Sequence, residues 1–204
     1  MTEPTIFIVD DDAPVRDSLS LLLGLKGYAT HSFASAEDFL SACQPEWHGC
    51  LLLDIRMAGM NGLELQQQLL SRQIPLPIIF ITAHGDVAAA RAALKAGAAD
   101  FLEKPLDDRL LLATITTALK RSAYQRDEAL VTQEIMDRMA RLTAREREVM
   151  EKVTLGEPNR EIARQLGISP RTVEVYKARM MEKMQAHSLP ELILLVLSLR
   201  KNSD

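Results

Sequence analysis

Two apolar runs in this chain end on carboxylates. Ile6-Phe7-Ile8-Val9 leads into Asp10, Asp11 and Asp12, and Cys50-Leu51-Leu52-Leu53 ends on Asp54. A short continuous apolar run reads as a strand buried on both faces, and an open parallel sheet keeps its ligand crevice at the carboxyl ends of its strands. Carboxylates delivered to one crevice repel each other unless a cation lies among them or a proton is shared. Two more groups fall at strand ends: Thr82, closing Ile78-Ile79-Phe80-Ile81, and Lys104, after Asp100-Phe101-Leu102-Glu103. Asp10, Asp11 and Asp54 facing Thr82 and Lys104 outline a phosphoryl-transfer site. Magnesium suits the oxygen ligands, Lys104 adds a second positive charge, Thr82 adds a hydroxyl, and Asp54 can act as a carboxylate nucleophile that forms an acyl phosphate.

The elements that must position these groups alternate strand and helix five times between residues 5 and 119. After the first strand comes a helix with Pro14 in its first turn and Gly27 just past its end. A strand over 28–33 precedes a helix capped by Ser35. The strand ending on Asp54 is followed by a loop over 56–62 and a helix over 63–73; the strand ending on Thr82 is followed by an Ala-rich helix over 86–96, closed by Gly97. Short loops and right-handed crossovers give a doubly wound five-stranded parallel sheet; if its order is the flavodoxin-like 2-1-3-4-5, the switch point lies between the two strands that end in acids.

No Gly or Pro occurs between Pro105 and Gly156. Asp107 or Asp108 can cap a helix that nothing forces to stop, and the polar stretch 121–128 reads as an exposed helical spacer. An apolar stripe returns at Val131, Ile135, Met139 and Leu142, suited to core packing or to a coiled-coil seam. Thr143-Ala144-Arg145-Glu146 has the form of a capping box. Asn159 can cap a short helix over 160–166, Gly167-Ile168-Ser169-Pro170 is a turn, and a longer basic helix over 171–184 follows, which is the helix-turn-helix pattern. Residues 189–201 form a last helix. The chain therefore divides into 1–121, a helical linker over 122–142, and an all-α domain over 143–204.

Composition sets limits. The 204 residues are 47% hydrophobic and 25% charged, enough for two small cores, and no apolar run approaches membrane-spanning length. Met1-Thr2-Glu3-Pro4 lacks the basic and apolar parts of a signal peptide, so a cytoplasmic location without membrane contact is expected. Residues 143–204 carry 11 Lys and Arg against 9 Asp and Glu, or +2, leaving 13 against 19, or −6, for the rest. A mildly basic tail behind an acidic body permits nucleic-acid binding by the tail. Cys43 and Cys50 read as small core residues, and the four histidines have no zinc-ligand spacing.

These motifs together resemble a known family. Residues 1–121 are similar to the receiver domain of two-component response regulators, through Asp10-Asp11, Asp54, Thr82-Ala83 and Lys104-Pro105. Residues 143–200 resemble the LuxR-type helix-turn-helix, through Leu142-Thr143, Glu146, Asn159, Glu161-Ile162-Ala163, Ser169, Thr172-Val173 and Lys177. The pairing is that of the NarL/FixJ family, with FixJ-like wording around Asp54-Ile55-Arg56-Met57 and Thr82-Ala83-His84-Gly85-Asp86. The resemblance implies that a histidine kinase phosphorylates Asp54 and that Mg2+ is held by Asp10, Asp11, Asp54 and the carbonyl of Arg56. Lys104 would contact the phosphoryl group, Thr82 would move toward it, and Phe101 would swing inward. It also implies a homodimer on phosphorylation that binds double-stranded promoter DNA and meets RNA polymerase, activating a catabolic or metabolic operon. No enzyme activity beyond the receiver's own phosphorylation and dephosphorylation is expected. In the tail Ser169, Arg171, Thr172, Lys177, Arg179 and Lys183 match phosphate-contact positions, and Glu174, Val175 and Ala178 match positions facing the major groove. Two residues depart from the family pattern. Ala58 stands where Pro is common, which makes its loop less stiff, and Phe101 lacks the hydroxyl of the commoner Tyr. Two other readings compete: a haloacid-dehalogenase-type phosphatase with Asp10 as nucleophile, and a DNA-binding protein whose receiver is a passive dimerisation domain.

Overall fold

The computed structural model describes residues 4–44, 46–82 and 87–201. Along the chain lie β1 (Thr5–Val9), α1 (Ala13–Leu25), β2 (Ala29–Phe33), α2 (Ala36–Ala42), β3 (Gly49–Asp54), α3 (Gly62–Ser71), β4 (Ile78–Thr82), α4 (Val87–Lys95), β5 (Asp100–Glu103), α5 (Asp108–Ala140), α6 (Ala144–Thr154), α7 (Asn159–Leu166), α8 (Pro170–Met184) and α9 (Leu189–Lys201). Two compact units divide the chain at residues 125 and 126. Among the described residues no helix is long and apolar enough to cross a membrane.

The first unit holds a five-stranded sheet in the order β2-β1-β3-β4-β5, with every pair parallel. That is the expected order, and it follows from chain chemistry. Strand side chains alternate between faces, so Ile6, Ile8, Cys50, Leu52, Ile79 and Ile81 join Leu19 and Leu23 of α1 and Leu111 and Ile115 of α5 in one core. Phe7, Val9, Leu51, Leu53, Ile78 and Phe80 join Phe39 of α2 and Leu65 and Leu69 of α3 in the other. Trp47 closes the second core near the sheet edge, stacked on Phe7 with ring centroids 4.4 Å apart. Every residue of β3 is buried, as a central strand covered on both faces requires.

Local signals set most of the helix boundaries. Ser35 caps α2 by accepting from Asp38 N–H, Asn61 and Glu64 form a reciprocal capping box at α3, and Asp107 Oδ1 accepts from Leu110 N–H at the start of α5. Three expectations need adjusting. The third helix ends at Ser71, two residues before the expected 73, with Arg72 as its cap. Asn159 lies inside α7, whose cap residue is Pro158 without a side-chain bond. Val131 is 56% exposed whereas Ile135 and Leu142 are buried with Met150, Met180 and Met184, so the stripe in this part of α5 supplies core from its later positions. Residues 1–3, Ala83, His84, Gly85 and Asp86, which carried parts of the sequence argument, lie outside the described residues.

In the second unit α6, α7 and α8 enclose Val149, Val153, Ile162, Ala163 and Val173. Gly167 takes the left-handed conformation at φ 66° and ends α7. Ser169 then caps α8, accepting from Thr172 N–H, with Pro170 in its first turn. This glycine-containing turn between two helices is the geometry of the helix-turn-helix.

Gly62 brings the fold close to the site. A Cβ there would sit 2.3 Å from the carbonyl oxygen of Asp54 and 3.1 Å from Ile55 Cα and the Phe80 ring. Gly62→Ala is expected to cost about 1–3 kcal/mol through overpacking. Gly24→Ala, in a helix with nothing within 4 Å of the added Cβ, should gain up to about 1 kcal/mol. Urea unfolding of both variants checks the contrast.

Candidate functional site

The sheet register brings the acids together. β1 pairs with β3 so that Val9 lies opposite Leu53, and one residue further Asp10 lies beside Asp54. Alternation carried one step past Ile8, Leu52 and Leu102 aims Asp10, Asp54 and Lys104 to the same side of the sheet. The Lys104 ammonium sits 2.8 Å from Asp10 Oδ2 and 2.8 Å from Asp54 Oδ1. Both carboxylates are nearly buried, at 2% and 7% exposure, while the lysine side chain keeps 27%. Two like charges are thus held together by one shared cation that reaches in from solvent.

Backbone amides orient the remaining oxygens. Asp12 N–H donates to Asp10 Oδ1 at 2.9 Å, and Arg56 N–H donates to Asp54 Oδ2 at 2.6 Å. Arg16 Nη1 donates to the Asp10 carbonyl at 2.7 Å, and Lys104 N–H donates to the Thr82 carbonyl at 2.7 Å. Thr82 is buried at the end of β4. Phe101 is half-buried against the core that contains Phe80. Asp11 is exposed, its Oδ2 accepting from Ala58 N–H at 3.0 Å. Among the described residues no three acidic, histidine or cysteine side chains already converge on one cation position. The structure therefore gathers Asp10, Asp54, Lys104 and Thr82 at one rim, while Asp11, in the turn after β1, is hydrogen-bonded to the loop after β3. Arg16, Glu37 and the Ala58 amide were not singled out in the sequence. None of the three had a periodic signal that could have found it, since each joins a side chain to a backbone group outside its own element.

Burial pushes the Asp54 carboxyl up, and this outweighs the opposing pull of Lys104. For Lys104 burial works downward, but the hydrogen bonds to Asp10 and Asp54 prevail and its ammonium is held above the ordinary lysine value. The Lys104 contribution to stability is then complete below the unfolded lysine pKa of about 10.4 and is lost as pH rises through the folded one. Asp54 has the sign opposite to the usual acid: stability falls as pH rises through its raised folded pKa, because the ionised form is the one disfavoured by burial.

In the second unit, α8 carries Arg171, Glu174, Val175 and Ala178 at i, i+3, i+4 and i+7, all exposed on one face. Arg179 and Ser169 are also exposed; Thr172 and Lys177 are half-buried. The Ser169 and Thr172 hydroxyls lie 2.8 Å apart. Lys183 is turned inward, its Nζ 2.6 Å from Oε2 of Glu146, which is 3% exposed. The same carboxylate accepts from Thr143 N–H at 2.8 Å in the capping box of α6. Lys183, together with these cap bonds, holds the Glu146 carboxyl below the usual range.

Known proteins place both units. Residues 6–116 match the response regulator receiver domain, and residues 140–196 match the bacterial regulatory proteins of the luxR family. The chain belongs to the two-component response regulators of the FixJ type. The transcriptional regulatory protein FixJ of Bradyrhizobium diazoefficiens is 45% identical over 96% of this chain and 96% of its own. The response regulator protein TodT of Pseudomonas putida is 40% identical over 92% of this chain and 83% of its own. Among solved structures, the response regulator StyR shares 41% identity with a TM-score of 0.89 over 96% of this chain and 99% of its own. Full-length FixJ from B. japonicum shares 44% identity with a TM-score of 0.61 over 98% and 99%. This FixJ-type protein is thus a regulator of transcription with a receiver and a LuxR-type DNA-binding domain, not a member of a known enzyme family, and the phosphatase reading falls.

Lys104→Met leaves Asp10 and Asp54 facing each other and should cost about 1–3 kcal/mol, discounted because the ammonium is part-exposed. The deficit is expected to narrow as pH falls through the raised Asp54 pKa and that carboxyl protonates, which chemical unfolding at several pH values would read. Glu146→Gln should lose stability at pH 7, with the loss fading as pH falls through the lowered Glu146 pKa. The sign follows because an acid with a depressed pKa stabilises above the unfolded value of about 4.3. Acid unfolding of the two proteins, followed by circular dichroism, checks it.

Proposed function

We propose that Asp54 is the phosphoacceptor of this regulator and that its phosphorylation governs promoter binding by the second unit. The observation that carries the reading is Lys104 shared between Asp10 and Asp54 at the ends of three parallel strands. One Asp54 carboxylate oxygen attacks the phosphorus of a phosphohistidine on the kinase, the P–N bond breaks with its electrons returning to the imidazole, and an acyl phosphate forms. Lys104 then exchanges a carboxylate for the phosphoryl oxygens, and Arg56 N–H keeps Asp54 oriented. Thr82 supplies a hydroxyl to the same phosphoryl group, and Phe101 follows it into the space left behind.

Receiver domains generally bind Mg2+. Two nearly buried carboxylates that already share one ammonium form an all-oxygen donor set of the kind magnesium takes. Asp10 and Asp54, joined by Asp11 and the Arg56 carbonyl, would hold the ion, which neutralises charge on the transferring group. The receiver's own phosphorylation from small donors and its dephosphorylation need no residues beyond these.

An open apolar cavity of about 480 Å3 beside Lys104, lined by Pro14, Val15, Leu19, Leu22, Leu106 and Leu111, supports docking of the histidine kinase next to Asp54. Exposed Leu194 and Leu197 on α9 support a homodimer on DNA. Arg171, Arg179, Lys177, Ser169 and Thr172 are assigned to phosphates, and Glu174, Val175 and Ala178 to base edges in the major groove. Lys183 starts from an ion pair with Glu146 and contributes to phosphate contact only by leaving it. Residues 1–121 act as receiver, 122–142 as linker and 143–204 as DNA-binding domain. The regulator would work in the cytoplasm, contacting RNA polymerase and activating a catabolic or metabolic operon.

DNA binding at fixed salt, with and without acetyl phosphate and magnesium, tests the reading on the protein and on Asp54→Asn. Phosphoryl donor should tighten binding at least several-fold, and the substitution should abolish the gain. Equal binding in all four conditions would establish a passive receiver instead.

A further inference from the structure

Alternate amides of the loop after β3 hold carboxylates from three different places. Arg56 N–H donates to Asp54 Oδ2 at 2.6 Å, Ala58 N–H to Asp11 Oδ2 at 3.0 Å, and Met60 N–H to Glu37 Oε1 at 2.9 Å. Gly59 makes this path possible: its φ is +77°, and a Cβ there would sit 2.9 Å from Glu37 Oε1. The loop is therefore pinned to β3, to the turn after β1 and to α2 by its own backbone donors. The middle bond depends on the residue at 58 having an N–H, which Ala has and Pro lacks.

We infer that Ala58 is a positioning residue whose N–H latches Asp11 onto this loop and so weakens magnesium binding in the pocket. The inference rests on the magnesium-dependent receiver proposed above and concerns how one of its ligands is set. Asp10 and Asp54 share the Lys104 ammonium, whereas Asp11 Oδ2 is held by the loop amide, and among the described residues no three acidic groups converge. A hydrogen bond from an amide to an ionised carboxylate is among the stronger kinds. A cation that takes Asp11 through Oδ2 must break or share that bond, and the cost appears as lost affinity. The same exchange frees the middle of the loop from the turn after β1 while Met60 stays tied to Glu37 of α2.

Calorimetric titration of the full chain with MgCl2 tests the latch. Ala58→Pro removes the N–H and should bind magnesium about three- to tenfold more tightly. Ala58→Gly keeps the donor while loosening the loop, and should bind no more tightly than the unsubstituted protein. Adding Asp11→Ala to Ala58→Pro should erase the gain. A readout without metal accompanies these: in amide NMR the Ala58 proton should shift on Asp11→Ala, and should shift the same way on magnesium saturation of the unsubstituted protein. Equal or weaker binding by Ala58→Pro overturns the latch, as does a gain of the same size in Ala58→Gly or one that survives Asp11→Ala. No magnesium heat from any variant overturns the metal reading and the latch with it, whereas tight binding that ignores residue 58 overturns the latch alone.

Discussion

The first unit is organised by electrostatic repulsion that it cannot avoid. Parallel strands in direct register deliver Asp10 and Asp54 to one rim, and burial strips both of the water that would screen them. Lys104 resolves the conflict by bridging the two at 2.8 Å each. Its backbone in turn is fixed by its N–H on the Thr82 carbonyl, so the neutralising charge is set by the same sheet that creates the problem. A cation borrowed from a part-exposed side chain can be exchanged for another without rebuilding the core.

The second unit contains the opposite arrangement. Glu146 is one buried anion whose oxygens are taken by the Thr143 amide and by Lys183, and it ties the start of α6 to the last turn of α8. A buried anion held in this way by an amide and an ammonium on Oε2 fixes the start of α6 against the end of α8. The two units thus use similar groups to different ends, one cation shared between two acids in the first and one acid joining the start of α6 to the end of α8 in the second.

Much of this was legible because short-range signals and long-range packing agreed. The apolar runs of β1, β3 and β4 are long enough and apolar enough on both faces to demand a covered parallel sheet, and the acids that close β1 and β3 mark one rim of it. The helix-turn-helix was equally plain from Gly167, Ser169 and Pro170, each doing local backbone work. What escaped was contact between side chain and distant backbone: Glu37 reaching Met60, Arg16 reaching the Asp10 carbonyl, Asp11 reaching Ala58. Such bonds have no periodicity. Lys183 illustrates a related limit, since a lysine on the basic helix carries no mark of whether it faces phosphate or, as here, a carboxylate on α6.

Trp47 is the chain's single tryptophan, and its stacking on Phe7 inside the aromatic edge of the sheet makes it an optical probe of one half of the protein. Its emission responds to loss of the first unit's core and is silent about the bundle formed by α6 to α9. Circular dichroism at helical wavelengths weighs both halves. Separate curves from the two signals would therefore resolve whether the halves melt as one cooperative body or as two, without any label being attached.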